Sequence, residues 1–429
     1  MSARGRLSSA QSASPLVLVC GAMSDHRRAL GLLIAVLAGW SVIAAPAGAR
    51  TLHVDPSSKG GPCSDSRSVA QAARASSPWC TLKRALNKAP AGSTLDLRGG
   101  THRAVEPVDV PGRPSKLTLL GRAGEKPVVQ GVRLTRCSRM KFRRLRLQYL
   151  RIERCNGSTI VDNDVTGGGL WVFFSKDVRV IDNRIHDSNE GLVLRFTERV
   201  TVHHNDFRHI PTAQRAGPGG DGIQATSVKQ LMIRDNVFAE FRSAHPHVDS
   251  MEFVNSNDQV TLEGNRFHQV RGPILVPHVI GLKFSNTRWK IINNEFTNMA
   301  QWALQLINVP GALIAHNTAW FSGHGIRISG ETANVTMVNN VTDFAEAGAG
   351  MVRHSAGNVI GKLVGGYRPG PADVVGAPTF IDAKVFNYQL APESLGINAG
   401  MANVGPALDR LRRPRVGAPD AGAYEHQGG

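Results

Sequence analysis

The chain has 429 residues, a formal net charge of +17, 45 glycines and a 41% hydrophobic content. That composition excludes a disordered chain and a greasy membrane bundle, and suits a turn-rich globular protein of one large or two ordinary domains. The excess of 50 Lys+Arg over 33 Asp+Glu favours a polyanionic partner (nucleic acid, an anionic surface or a uronic-acid polymer) without choosing among them.

Residues 1–49 read as a secretory signal peptide. His26, Arg27 and Arg28 precede an apolar run over residues 29–45, and Ala47 and Ala49 supply the small residues of a cleavage site. Met23 just upstream is the expected true start. The run is shorter than the ~20 apolar residues a bilayer span needs, so a membrane helix is the weaker alternative. The expected product is an exported monomer that begins near Arg50, has no membrane span and does not bind nucleic acid. Four cysteines then remain, and an even count in an exported chain predicts two disulfides, with free buried thiols as the alternative.

Residues 50–110 are expected to form an N-terminal cap. Residues 70–75 and 81–89 read as helical, with Leu82, Ala85, Leu86 and Ala89 on one face to cover an open apolar end.

Residues 111–350 are expected to form the coils, and from about residue 142 to 342 a phrase recurs in which an apolar residue, Asn and a second apolar residue keep fixed spacing: Ile160, Asn163 and Val165, then Val180, Asn183 and Ile185. Asn205, Asn236, Asn265, Asn294, Asn317 and Asn340 continue it at intervals of 22, 31, 29, 29, 23 and 23 residues. An apolar–x–apolar pair precedes most of these by 13 or 14 residues: Leu170/Val172, Leu192/Leu194, Ile223/Ala225, Met251/Phe253, Ile274/Val276, Leu304/Leu306 and Ile326/Ile328. Units this short cannot hold a strand–helix–strand crossover, and their period-two alternation means short strands with one buried face. Stacked about 4.8 Å apart, they predict an all-β parallel β-helix solenoid with a continuous apolar column. The Asn is expected to take left-handed turn geometry and to bond its amide to the next coil's Asn. Phe142 and Ile160 are equivalent and 18 residues apart, as are Cys137 and Cys155, so the latter should stack and pair, leaving Cys63 with Cys80. Residues 351–429 read as C-terminal loops and cap, with the basic stretch 410–415 solvated.

Two segments carry a family resemblance: Leu52, His53, Val54, Asp55 and Pro56, with Pro78, Trp79, Cys80 and Gly100 further on, and the closing Asp420 to Glu425. They resemble right-handed parallel β-helix polysaccharide-active proteins of the pectate-lyase-like superfamily, which includes uronate lyases and C5-epimerases. The resemblance implies a right-handed helix and work on an acidic polysaccharide.

The chemistry is expected on the face between the paired apolar residues, where Arg151, Trp171, Gln224, Glu252, Gln305 and Arg327 point outward. Enlarged loops, residues 211–220 and 241–248, deliver Asp221 and Asp249 to equivalent positions one coil apart, and residues 277–289 add a wall in the next coil. Paired acids that close call for a raised pKa or a bound cation, so Ca2+ on Asp221, Asp249 and Glu252 is the expected cofactor, with turn-forming Asp as the alternative reading. A lyase or epimerase needs a carboxylate neutraliser, for which Arg195 or the cation is the candidate. It also needs a base, for which His247, Lys283 and His278 are the candidates, with His278 also among the expected substrate contacts. Two readings compete. One is a polygalacturonase-like hydrolase, suggested by Asp221-Gly222 and Gly323-His324-Gly325; the other is a non-catalytic carbohydrate-binding rod.

Overall fold

The computed structural model describes residues 50–109, 116–210, 220–241, 249–270, 274–275, 286–299, 302–321 and 323–427. The signal-peptide reading, the walls at 211–219, 242–248 and 276–285, and the candidate bases His247, His278 and Lys283 lie outside the described residues.

The chain forms a right-handed parallel β-helix in which most coils contribute one short strand to each of three stacked ladders, the first, second and third sheets; the second and third are joined through Val341–Ala347. The first sheet stacks thirteen strands in chain order among the described residues, from Thr51–Val54 to Val352–Ala356. Stacking therefore starts within the cap and runs past residue 350, beyond both ends of the repeat phrase. The second sheet follows the Asn turn. The third holds the apolar pairs in the register that the spacing demands: Leu150 opposite Leu170, Leu170 opposite Leu192, Leu192 opposite Ile223 and Ile223 opposite Met251. Alternation buries both members of each pair in a shared column, so Leu170 and Val172, Leu192 and Leu194, Ile223 and Ala225, and Met251 and Phe253 are all fully buried. Each of these side chains apart from Ala225 stabilises the fold by about 1.5–3 kcal/mol. Inside the second sheet, Phe207, Phe238, Phe267 and Phe296 stack face to face at 4.7–4.8 Å, the rung spacing itself.

The asparagines form a buried ladder. The Asn163 side-chain amide donates to Asn183 Oδ1 at 2.9 Å, and the same bond links each Asn to the next through Asn205, Asn236, Asn265, Asn294, Asn317, Asn340 and Asn358. The Asp373 carboxylate ends it by accepting from Asn358 at 2.8 Å. Contrary to expectation, the ladder Asn does not carry the left-handed backbone. The residue before it does: Asp162, Asp182, His204, Asp235, Asn293, His316 and Asn339 all lie at φ of 53–57°. This turn points the following Asn inward, where its amide must satisfy the turn carbonyls as well as its neighbour.

Both disulfides are formed, Cys137–Cys155 and Cys63–Cys80, with Cα separations of 4.3 and 5.0 Å. At the N-terminal end, Leu82–Lys88 is helical behind its Thr81 cap and buries Leu82, Ala85 and Leu86. The earlier helix spans only Val69–Ala72, held by a capping box of Ser68 and Gln71. None of the described helices is long and apolar enough to cross a membrane.

The basic C-terminal stretch is only partly solvated, which corrects the sequence reading. Arg415 and Glu425 pair at 3.1 Å with side chains 5% and 3% exposed, Arg413 pairs with Asp409, and exposed Arg412 pairs with Asp235. Arg415 also donates to Asn293, and Tyr424 bonds Glu295. The tail is strapped along the Asn turn and the second sheet, and acids scattered through the coils supply its counter-charges.

Candidate functional site

Strand alternation alone puts Gln224 and Glu252 side by side on the outer face of the third sheet. The Gln224 amide donates to Glu252 Oε2 at 2.9 Å, and the Arg195 guanidinium of the preceding coil donates to Gln224 Oε1 at 3.1 Å. A relay Arg195–Gln224–Glu252 thus crosses three consecutive coils.

Behind it stands a column of acids. Glu190, Asp221 and Asp249 each sit two residues ahead of their strand. Glu190 accepts from the backbone amides of Gly220 and Asp221, and Asp221 Oδ1 accepts the Asp249 N–H at 3.0 Å. Each of these two carboxyls caps an amide of the next coil, so acids at this position also hold the turn. Asp221 and Asp249 are 4% and 6% exposed. Burial pushes the Asp249 carboxyl up to about 8, helped by the charge of Glu252. Asp221 is raised strongly, first by burial, then by Glu252, with Asp249 and Glu190 adding to it against its bond to the Asp249 amide. Burial lifts Glu190 to about 7, and Glu252 pushes the same way against the Gly220 amide bond. Four carboxyls therefore share one site with Arg195 as the cation that bears on Glu190, and they cannot all ionise without further positive charge or protons. The donors are all carboxylate oxygens, the set a hard cation such as Ca2+ prefers, and Glu190 Oε2 is buried without a hydrogen-bond partner. Donor chemistry and the open Oε2 suit a cation, but among the described residues no three of these carboxylates bring their oxygens within 4.8 Å of one another, so a cation would have to draw them closer.

The structure brings Arg195, Asp221, Gln224, Asp249 and Glu252 together and adds Glu190, which the sequence reading did not select. Its signal was that shared offset of two residues before the apolar pair. The other candidates lie along the same face. Arg151 is three coils earlier, bonded to Glu153 at 3.0 Å and 4.5 Å above the Phe173 ring. Trp171 donates its indole N–H to Gly168 O. Gln305, two coils past Glu252, is buried, and Arg327 lies 3.3 Å from Glu346 and over Trp302. His324 belongs to the coil of Ile326, three rungs beyond Met251, or about 14 Å at ~4.8 Å per rung. It packs near Trp302, at 5.1 Å, rather than the acids.

Two other clusters are satisfied internally. A hollow of about 420 Å3 near Arg146, Asp162 and Asp164 has its acids engaged by neighbouring cations, Asp164 by Arg146 at 2.9 Å and Asp162 by Arg143 at 3.4 Å. His203 and His204 come within 3.5 and 3.8 Å of Asp235. Their rings stack at 3.6 Å, so their in-plane lone pairs do not converge, and Arg412 is the cation Asp235 binds.

Comparison with known proteins supports the architecture. The family description "Right handed beta helix region" matches residues 129–277. The structure of XylC in complex with xylose is similar at a TM-score of 0.55 and 9% identity, covering 87% of this chain and 98% of that one. Pectate lyase Pel9A gives 0.49 at 13% identity over 88% and 96%. PfbA, a surface adhesin of Streptococcus pneumoniae, gives 0.43 at 12% over 73% and 91%. No curated protein matches the chain. At 9% identity the likeness to XylC shows the fold alone and leaves the chemistry to the site itself.

Proposed function

We propose that this chain is an exported polysaccharide lyase or C5-epimerase that acts on a uronate-containing polymer at the outer face of the third sheet. The observation that carries the proposal is the gathering of Glu190, Asp221, Asp249 and Glu252 beside Arg195 in three consecutive coils of a chain whose net charge is +17. A rod that only bound a polyanion would have no use for four acids at the centre of that face. Two disulfides support export.

Asp221, Asp249 and Glu252, with Glu190 behind them, would hold a divalent cation such as Ca2+. When bound, it supplies positive charge opposite the substrate carboxylate and so lowers the cost of charge at C5. Arg195, already turned toward Gln224, orients the same carboxylate from the other side and is fixed by its position above the Phe173 ring, 5.5 Å away. A base removes the C5 proton. In a lyase the C4–O bond then breaks as C4=C5 forms, and the leaving oxygen takes a proton. In an epimerase the proton returns to the opposite face. His247, His278 and Lys283 remain the candidate bases.

The test is incubation of purified protein with polygalacturonate and alginate while following ultraviolet absorbance of unsaturated products, with proton NMR for inversion at C5. One observation favours a second reading. Carboxyls raised as far as Asp221 and Asp249 are protonated at neutral pH if no cation is held, and a protonated carboxyl is the general acid of a glycoside hydrolase. New reducing ends without the absorbance, unaffected by chelator, would establish that reading instead. Binding with neither product would leave a carbohydrate-binding rod.

A further inference from the structure

Two bulky apolar side chains stand in the open on the turn that leaves the third sheet. Phe174 and Phe196 are 44% and 52% exposed, and both take the left-handed backbone, at φ of 49° and 54°. The same turn position holds Arg136, Arg154, Ser227, Asn255, Asn308 and Gly330 in other coils, all left-handed and none apolar. A phenylalanine there carries both a backbone cost and the cost of exposed apolar surface. The rings stack on each other at 5.0 Å and 5° between planes, and the Arg154 guanidinium lies 5.1 Å over Phe174. The stack therefore runs along the helix axis as Arg154, Phe174, Phe196.

At the next rung it stops. Phe196 bonds its backbone N–H to Thr226 O, so Ser227 is the residue one coil beyond it, and Asn255 follows. One face of Phe196 is covered by Phe174. The other looks over a small serine into a slot about one rung, ~4.8 Å, thick. That slot belongs to the coil that carries Asp221 and Gln224, at the rim of the same outer face.

We propose that this slot is a binding site for one pyranose ring of an anionic polysaccharide, stacked by its C–H face on the free face of Phe196. The proposal rests on the polysaccharide substrate proposed above and adds a contact outside the acid cluster. A flat ring with apolar C–H faces fits a gap one rung thick. Its carboxylate is attracted by Arg195 of the Phe196 coil, while Asn255 offers an amide to its hydroxyls.

The experiment is affinity electrophoresis and calorimetry with polygalacturonate and alginate, using neutral dextran as a control. Phe196→Ala is expected to weaken binding about fivefold to tenfold. Phe196→Asn should weaken it equally while leaving thermal stability unchanged or higher, because Asn tolerates the left-handed backbone. Ser227→Phe, which extends the stack into the slot, should also weaken binding. If wild type binds a polymer and these variants bind it just as tightly, the slot is not a sugar site and the substrate reading stands. If wild type binds neither polymer, the substrate reading fails and takes the slot with it. Asp249→Asn should alter turnover while binding keeps its dependence on Phe196.

Discussion

Replacement of Asp249 by Asn tests the electrostatics of the acid cluster directly. The Asp249 carboxyl is raised from its ordinary 3.8 to about 8, with burial as the main cause. A carboxyl whose folded pKa lies above its unfolded value favours folding fully only below the unfolded value, and that contribution is lost as pH rises through the folded one. Wild-type stability in chelator should therefore fall between pH 5 and pH 8. Three pH units at about 1.4 kcal/mol each set a ceiling of about 4 kcal/mol over that window, and the high effective dielectric found even at buried sites lowers the expected loss to roughly 2 kcal/mol. Asp249→Asn keeps the shape and the backbone N–H that Asp221 accepts, so it should remove the Asp249 share of that slope and leave the shares of Asp221 and Glu190. The variant should be more stable than wild type at pH 8 and close to it at pH 5. Urea unfolding at pH 5, 6.5 and 8 with chelator reads this, and added Ca2+ should stabilise wild type at pH 8 far more than the variant. Parallel profiles for the two proteins, with no calcium effect on either, would refute both the proton and the cation accounts.

Asn265→Ala should cost about 3 kcal/mol in urea unfolding, because it strips the acceptor from both the backbone N–H and the side chain of Asn236 inside the core. Arg415→Met should cost about 3–5 kcal/mol by leaving the buried Glu425 carboxylate without its partner, whereas Arg412→Ala, at an exposed pair, should cost less than about 1 kcal/mol. Comparing the two midpoints separates a structural strap from a solvated tail. Cys137→Ser with Cys155→Ser should lower stability by about 2–3 kcal/mol, as expected for a loop of 18 residues, and reductant should reproduce most of the loss.

Much of the fold was legible because in a stacked solenoid sequence spacing is spatial register. Equal distances from Leu170, Leu192 and Ile223 to the following Asn put those residues opposite one another, and the same arithmetic brought Cys137 to Cys155. The turn geometry was misassigned for a local reason. Asn tolerates the left-handed backbone, but so do Asp and His, and the ladder needs its Asn turned inward, so the residue before it takes the strain. The outward face was legible only in part. Val193 and Gln305 satisfy the alternation yet are buried, since neighbouring coils and loops cover positions that a period of two marks as exposed.

The repeat by itself determined the coils, their register, the buried Asn ladder and the equivalence of Asp221 with Asp249, because each depends only on phase along the chain. Tertiary structure decided what phase does not encode. It drew Glu190 into the acid cluster, set burial deep enough to raise three carboxyls, and paired Arg412 and Arg415 with Asp235 and Glu425. Those outcomes depend on through-space distances and on the solvent removed around each charge, and they exist only once the coils are stacked and the tail is laid across them.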